Sequence, residues 1–319
     1  LLLIPILFMV QEMTVRLGIV MKKGHGELIR EYFGKFLAYV SAITLMISTI
    51  GALLTEFIGI AGVGELFGIS KWITVPFSIL ILTLIAFLGS YRRVEKVGIV
   101  LGLFELTFII GIAMVHPNVD SIIDGIKNIP IHDSSYVYLI AANVGAVIMP
   151  WMIFYQQSAV VDKGLKKHMI RKEQTDTMVG TFITQGIMIG FIVLFAATVF
   201  NQHVQVNENT VGYLVNSIGR YIGMDAAKAI MGSSILGGAL VAAIVVALAG
   251  TWGMTEVLDW KHSLNERINS SNLGFYGMYF LVLVVSGGLV LFNEKLVSIA
   301  IMVEVINALM VPIVLGFLL

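Results

Sequence analysis

The sequence has no cysteine among its 319 residues. Disulfide bridges, thiolate metal sites and cysteine redox chemistry are therefore excluded. Charged residues are also scarce, because Asp, Glu, Lys and Arg together make up only 13% of the chain. A water-soluble domain with so few charges would expose its core, so a soluble class is excluded as well.

Apolar residues take the place of the missing charges. They make up 58% of the chain, and its mean hydropathy is +0.93, which indicates a polytopic membrane protein. A helix needs about 20 apolar residues to cross about 30 Å of hydrocarbon. Nine runs meet this need, and we expect one transmembrane transporter domain over residues 1–319 of a multi-pass protein in a prokaryotic-type cell membrane. The runs are 1–20, 38–62, 73–89, 97–115, 136–157, 178–200, 234–256, 273–292 and 296–319.

The distribution of Lys and Arg between the runs predicts the orientation. Alternate connections hold fourteen basic residues against five in the others, so the richer set is predicted to be cytoplasmic. The first run then starts outside, and we expect a further span before it. The fourteen are Lys22, Lys23, Arg30, Lys35, Arg92, Arg93, Lys96, Lys163, Lys166, Lys167, Arg171, Lys172, Lys261 and Arg267; the five are Lys71, Lys127, Arg220, Lys228 and Lys295.

A proline interrupts the fifth apolar run, in "GAVIMPWMIFYQQSAVV" (145–161). Pro150 has no N–H, so it cannot bond the carbonyl of Ala146. At 1.5 Å per residue, Ala146 lies about 15 Å deep, near the bilayer midplane. Such a break survives only where protein, water or an ion satisfies the carbonyl. Asn143, Met149 and Gln157 add polar or thioether groups nearby, although a plain proline kink is the alternative.

Carboxylates inside the other runs are functional candidates, because an unpartnered charge there costs about 2.5 kcal/mol or more. Glu304 lies about 12 Å deep in the ninth run, which matches Ala146. We expect a functional role for Glu304, either role for Glu56 and a structural role for Glu105. Glu256, Asp259 and Arg267 are expected to be solvated or snorkelling charges near a cytoplasmic end.

A broken helix that meets a carboxylate at mid-depth is how secondary transporters build cation sites. The residues alone therefore predict a transporter with a central cation site, without naming the cation. An enzyme is disfavoured because no nucleophile, base and orienting group occur together. The histidines are expected in loops or interfaces, most simply as solvated surface: His25, His116, His132, His168, His203 and His262.

Several stretches resemble, in order, landmarks of the Nramp (natural resistance-associated macrophage protein) divalent-metal transporters. The similarity runs from that family's second helix to its tenth. It implies an all-α, LeuT-type inverted repeat of five plus five helices with discontinuous first and sixth helices, the first being absent here. The stretches are "QEMTVRLGIVMKKGHGELIREYFG" (11–34), "SYRRVEKVG" (90–98), "GAVIMPWMIFYQQSAVV" (145–161), "VALAGTWGMTEVLDW" (246–260) and "EVINALMVP" (304–312).

The resemblance implies a metal site formed by Ala146, Met149 and Glu304. Ala146 and Met149 match the alanine carbonyl and the motif methionine of the family's sixth helix, and Glu304 stands where its tenth helix has a glutamine. We expect Glu56, Asn143, Trp151 and Gln157 to support this site or line the ion path. The implied partners are a transported divalent cation and the lipid bilayer, with no cofactor, nucleic acid or obligate protein partner.

The chain departs from the family at residues that the family uses to carry protons. Trp151 and Gln157 replace histidines, Leu53 replaces an aspartate, and the arginine of the ninth helix has no counterpart in 272–284. Tryptophan, leucine and glutamine do not titrate near neutral pH. These departures predict transport without proton coupling.

The comparison with the family also indicates which cation is transported. Glu304 adds charge and oxygen ligands, which suit Mg²⁺, whereas the thioether of Met149 favours transition metals. We expect an importer of Mg²⁺ that tolerates Mn²⁺, similar to the Nramp-related magnesium transporters. The alternatives are a proton-coupled Mn²⁺ or Fe²⁺ carrier, a LeuT-type sodium-coupled carrier of organic solutes and a metal-binding sensor.

Overall fold

The computed structural model describes residues 2–87, 90–199, 210–266, 268–293 and 296–318. Within these ranges the chain forms helices joined by short connections, and no strand occurs there. The predicted all-α class is confirmed. The helices are α1 (Leu3–Met21), α2 (His25–Tyr32), α3 (Gly34–Leu66), α4 (Lys71–Ala86), α5 (Tyr91–Leu103), α6 (Thr107–Val115), α7 (Val119–Lys127), α8 (Ser134–Val147), α9 (Pro150–Asp162), α10 (Ile170–Val199), α11 (Thr210–Ile222), α12 (Met224–Leu258), α13 (Leu273–Phe292) and α14 (Leu296–Leu318).

Eight helical segments of the described chain are long and apolar enough to span a membrane, which makes this a multi-pass cell-membrane protein. They coincide with eight of the nine predicted runs. The remaining run, 73–89, corresponds to α4, which has only 16 residues and a length of about 24 Å. The Lys71 ammonium at its start donates hydrogen bonds to the carbonyls of Val290 (3.3 Å) and Asn293 (3.1 Å) at the end of α13. This contact fixes the start of the short helix against a longer neighbour.

The centre of the fold is the packing of α3 against α12. Small residues let the two backbones approach closely, as is common between membrane helices. A Cβ placed on Gly250 would lie 2.6 Å from the Thr49 methyl carbon, and one on Gly253 would overlap Leu45 and lie 2.7 Å from Phe154. Glycine at these two positions of α12 therefore permits close helix packing.

Two of the apolar runs are interrupted near their middles. Residues Ile148 and Met149 separate α8 from α9, so the predicted break at Pro150 is confirmed. A 3-10 turn, Phe104–Leu106, separates α5 from α6. The α8–α9 break faces α14, and this contact positions the candidate site.

Candidate cation site

The break between α8 and α9 is two residues long. The N–H of Ile148 donates to Val144 O (3.0 Å) and ends α8, whereas Met149 is extended (φ −95°, ψ 141°). Pro150 then begins α9, a position that tolerates its missing N–H. The carbonyl of Ala146, four residues earlier, consequently has no i+4 helical donor. A carbonyl of this kind inside a membrane protein is a ready cation ligand.

Glu304 of α14 lies directly against this end of α8. A Cβ placed on Gly145 would overlap the Glu304 carbonyl oxygen and would lie 2.8 Å from the Ala308 nitrogen. Only glycine allows this approach of the two backbones. Because Ala146 follows Gly145, the structure brings Ala146 and Glu304 together on adjacent helices.

Asn307 is part of this arrangement, and the sequence reasoning missed it. Its Nδ2 donates to Glu304 Oε2 (3.2 Å). The side chain is fully buried, and its Oδ1 has no hydrogen-bond partner among the described residues. A buried acceptor without a donor is costly unless a water or cation completes it. The i+3 spacing from Glu304 was the signal that could have identified it.

Met149 lies in the extended link, and its sulfur is already engaged. The indole N–H of Trp151 donates to Met149 Sδ at 2.8 Å. Both side chains are half-buried. Trp151 therefore touches the predicted thioether ligand directly and occupies one of its lone pairs.

Glu56 lies on α3, which also packs against α14. A Cβ on Gly51 would lie 2.6 Å from a Val303 methyl carbon, which fixes α3 against α14 one residue before Glu304. Acidic residues thus occur in three of the spans, as Glu56, Glu105 and Glu304.

Gln157 lies elsewhere, about 10 Å further along α9 from Pro150. It is fully buried; its Oε1 bonds His25 Nδ1 (3.1 Å), and its Nε2 donates to Lys23 O (2.9 Å). His25 is also fully buried and meets the Phe154 ring edge-on at 4.8 Å. Burial lowers the pKa of His25 to about 4, against the smaller, opposing effect of Gln157.

The expectation of solvated histidines is therefore wrong for His25. The physical reason is that Gly26 allows α2 to press onto α12, where a Cβ would lie 2.9 Å from Gly253 O. His116, His132 and His168 are exposed as expected, and His262 is half-buried. His203 lies outside the described residues.

The expectation of a solvated charge is also wrong for Glu256. Only 1% of this residue is exposed, because its Oε2 accepts from Gly26 N (2.9 Å) and its Oε1 from Ser158 Oγ (2.5 Å). The carboxylate thereby joins α2, α9 and α12. Asp259 is exposed as expected and pairs with Arg30 at 2.7 Å; this hydrogen bond and charge lower the Asp259 pKa. Arg267 lies outside the described residues.

Comparison with known families gives a match over the full length of the chain. The family model described as "Natural resistance-associated macrophage protein-like" (Nramp) matches residues 1–319. The chain belongs to the Nramp family. The resemblance seen in the sequence stretches is confirmed.

Several curated proteins that are similar in sequence to this Nramp chain carry the name "Divalent metal cation transporter MntH". The protein from Vibrio campbellii is 30% identical over 209 residues, which cover 62% of this chain and 48% of the relative. The protein from Agrobacterium fabrum is 24% identical over 263 residues, which cover 79% of this chain and 57% of the relative. The protein from Bacillus subtilis is 26% identical over 277 residues, which cover 81% of this chain and 63% of the relative. The chain thus spans about half the length of the curated relatives it matches.

Proposed function

We propose that this Nramp protein imports divalent cations across the cell membrane, that it prefers Mg²⁺ and tolerates Mn²⁺, and that it does so without proton coupling. The observation that carries the proposal is the meeting of the broken span with α14. Gly145, the neighbour of Ala146, packs there on the backbone of Glu304. The Glu304 carboxylate accepts a hydrogen bond from Asn307, whose buried Oδ1 has no partner among the described residues.

Transport of a divalent cation is supported by the names of the relatives and by this geometry. A discontinuous helix whose carbonyls face a carboxylate at mid-depth can take up a cation and release it when the halves move. One carboxylate and neutral oxygens bind a divalent ion without a closed, all-protein cage. Weak, partly hydrated binding of this kind suits an ion that must leave again.

Preference for Mg²⁺ is supported by the donor atoms. Carboxylate and carbonyl oxygens are hard ligands, and Mg²⁺ keeps several of its waters when it binds. Soft transition metals gain from a thioether, but Trp151 donates its N–H to the sulfur of Met149. A soft ion must displace that hydrogen bond before it can use the sulfur.

Absence of proton coupling is supported by the groups around α9. Trp151 and Gln157 cannot carry a proton at neutral pH. His25 contacts Gln157, yet its pKa of about 4 keeps it neutral at physiological pH. The side chains at these positions therefore supply hydrogen bonds and no titrating group.

The second candidate is a proton-coupled carrier of Mn²⁺ or Fe²⁺. The presence of Glu56, Glu105 and Glu304 in three of the spans favours it, because burial favours the neutral form of a carboxyl group, which can hold a proton that a bound cation displaces. The two candidates differ in whether cation uptake brings protons with it.

Uptake into proteoliposomes that contain a Mg²⁺ dye and a pH dye separates the candidates. The membrane potential is clamped with K⁺ and valinomycin, and Glu304→Ala serves as the inactive control. We expect Mg²⁺ uptake with no internal acidification, and slower uptake of Mn²⁺. Acidification that follows the cation under the clamp would establish the coupled carrier, and absence of Mg²⁺ uptake would overturn the Mg²⁺ preference.

A further inference from the structure

A cavity lies between helices of the membrane-spanning part of the protein. It has a volume of about 440 Å³ and is bounded by α6, α8, α10 and α12 together with the 3-10 turn between α5 and α6. Most of its wall is apolar. Four side chains bring polar atoms to the wall: Glu105, Asn143, Thr184 and Ser234.

Glu105 is held at this cavity by the 3-10 turn Phe104–Leu106. The turn is attached to α12 by Thr107 Oγ1, which donates to Ile230 O (3.2 Å), and by Ser234 Oγ, which donates to the carbonyl of Glu105 (3.4 Å). A Cβ on Gly237 of α12 would lie 2.6 Å from Leu101 O, just before the turn. Glycine is therefore required where α12 packs against this part of the chain. The backbone of Glu105 is therefore fixed.

The carboxylate of Glu105 lies over a second glycine, Gly238. A Cβ there would overlap Oε1 and would lie 3.1 Å from Cδ. Within the described residues, the carboxylate has no hydrogen bond or ion pair. A structural carboxylate inside a membrane is expected to have a partner that offsets its desolvation. Glu105 instead faces a cavity that has room for one.

We propose that this cavity is a second binding station for a divalent cation, with Glu105 as its anionic ligand and Asn143 as a neutral oxygen ligand. Six waters occupy roughly 180 Å³ at about 30 Å³ each, so a hydrated ion fits the cavity. The identity of the cation rests on the proposed function; the existence of the station does not.

The station is adjacent to the broken span. Asn143 lies three residues before Ala146, and so about one helical turn away on α8. An ion held at Asn143 would therefore lie about one helical turn from the broken end of α8.

Titration of the purified, detergent-solubilised protein with Mn²⁺, followed by electron paramagnetic resonance, tests the proposal. We expect two bound Mn²⁺ per wild-type chain, one in Glu105→Gln, one in Glu304→Gln and none in the double variant. Glu65→Gln makes the same change at an exposed residue at the end of α3 and should keep both ions.

Gly238→Ala is a second variant that displaces the carboxylate without altering any charge. We expect it to weaken binding of the second ion by roughly 10- to 100-fold, the range seen when the orientation of a metal ligand is disturbed. Gly288→Ala on α13 is its control, because a Cβ there meets nothing within 4 Å. This pair keeps the test available if Glu105→Gln does not fold.

The outcomes separate the two proposals. If the wild type binds one Mn²⁺, both Glu105→Gln and Gly238→Ala retain it, and uptake is normal, the second station is overturned. The proposed function then still stands. Two bound Mn²⁺ lost one by one as above, in a protein that moves no cation in proteoliposomes, would support the station and overturn the proposed function.

Discussion

Gly145 of α8 packs directly on the carbonyl group of Glu304 in α14. This contact fixes α8 against α14 next to Ala146. The proposed cation site therefore depends on a residue that has no side chain to contribute.

Substitution of that glycine should damage both stability and transport. A Cβ on Gly145 would force α8 away from α14, and overpacking of this kind costs about 1–3 kcal/mol. We expect Gly145→Ala to lower the free energy of unfolding by that amount, measured by SDS titration, and to reduce Mg²⁺ uptake. Gly186→Ala on α10, where a Cβ meets nothing within 4 Å, is the matched control. Equal behaviour of the two variants would show that the helices do not need this contact.

Removal of the charge at Glu304 should alter ion preference. Glu304→Gln keeps the size of the side chain and removes an anionic oxygen, which a hard cation needs more than a soft one. We expect Mg²⁺ uptake to fall roughly tenfold, or about 1.4 kcal/mol, relative to Mn²⁺ uptake. Competition between the two ions in proteoliposomes measures the ratio, with Glu65→Gln as control. Equal losses for both ions would argue against Glu304 as the discriminating ligand.

Loss of the hydrogen bond from Trp151 to the Met149 sulfur should favour the transport of soft ions. Trp151→Phe removes the N–H that donates to Met149 Sδ and keeps an aromatic ring. A hydrogen bond of ordinary strength predicts an increase of roughly 2- to 10-fold in Mn²⁺ or Cd²⁺ uptake relative to Mg²⁺. Trp72→Phe, on an exposed tryptophan of α4, is the control. An unchanged ratio in Trp151→Phe would mean that the sulfur takes no part in selection.

The burial of His25 predicts a specific pH dependence of stability. Its folded pKa of about 4 lies below the usual 6.5, so the unfolded chain binds more protons between these values. Stability should fall as the pH drops from 6.5 to 4, by about 3 kcal/mol in total. Thermal unfolding in detergent measures this, and His25→Gln should lack that part of the slope. His132→Gln is the exposed control, and a wild-type slope in His25→Gln would contradict the assignment.

The helix break at the centre of the proposed cation site could be predicted because it depends on a local rule. A proline removes the bond to the residue four positions earlier wherever a helix contains it, so the break at Ala146 follows from the sequence. The constant rise of a helix then placed Glu304 at the same depth. Neither step needs knowledge of which helices touch.

The buried cluster on α2 could not be predicted, because it depends on contacts between distant parts of the chain. Gly26 and Glu256 are 230 positions apart. The residues next to each of them in the sequence do not indicate that it is buried. A histidine between two glycines near the end of a span looks solvated until α12 is placed against it. Glu105 is similar, since its 3-10 turn follows from the fit of Phe104 against Gly237 and has no glycine or proline of its own.

Location of a bound ion tests the central claim most directly. Crystals of the protein soaked in Mn²⁺ and measured at the manganese absorption edge should show an anomalous peak between the Ala146 carbonyl and the Glu304 carboxylate. The peak should disappear in Glu304→Gln. Manganese density that is confined to other parts of the protein, such as the Glu256 cluster, would contradict the assignment of the site to α8 and α14.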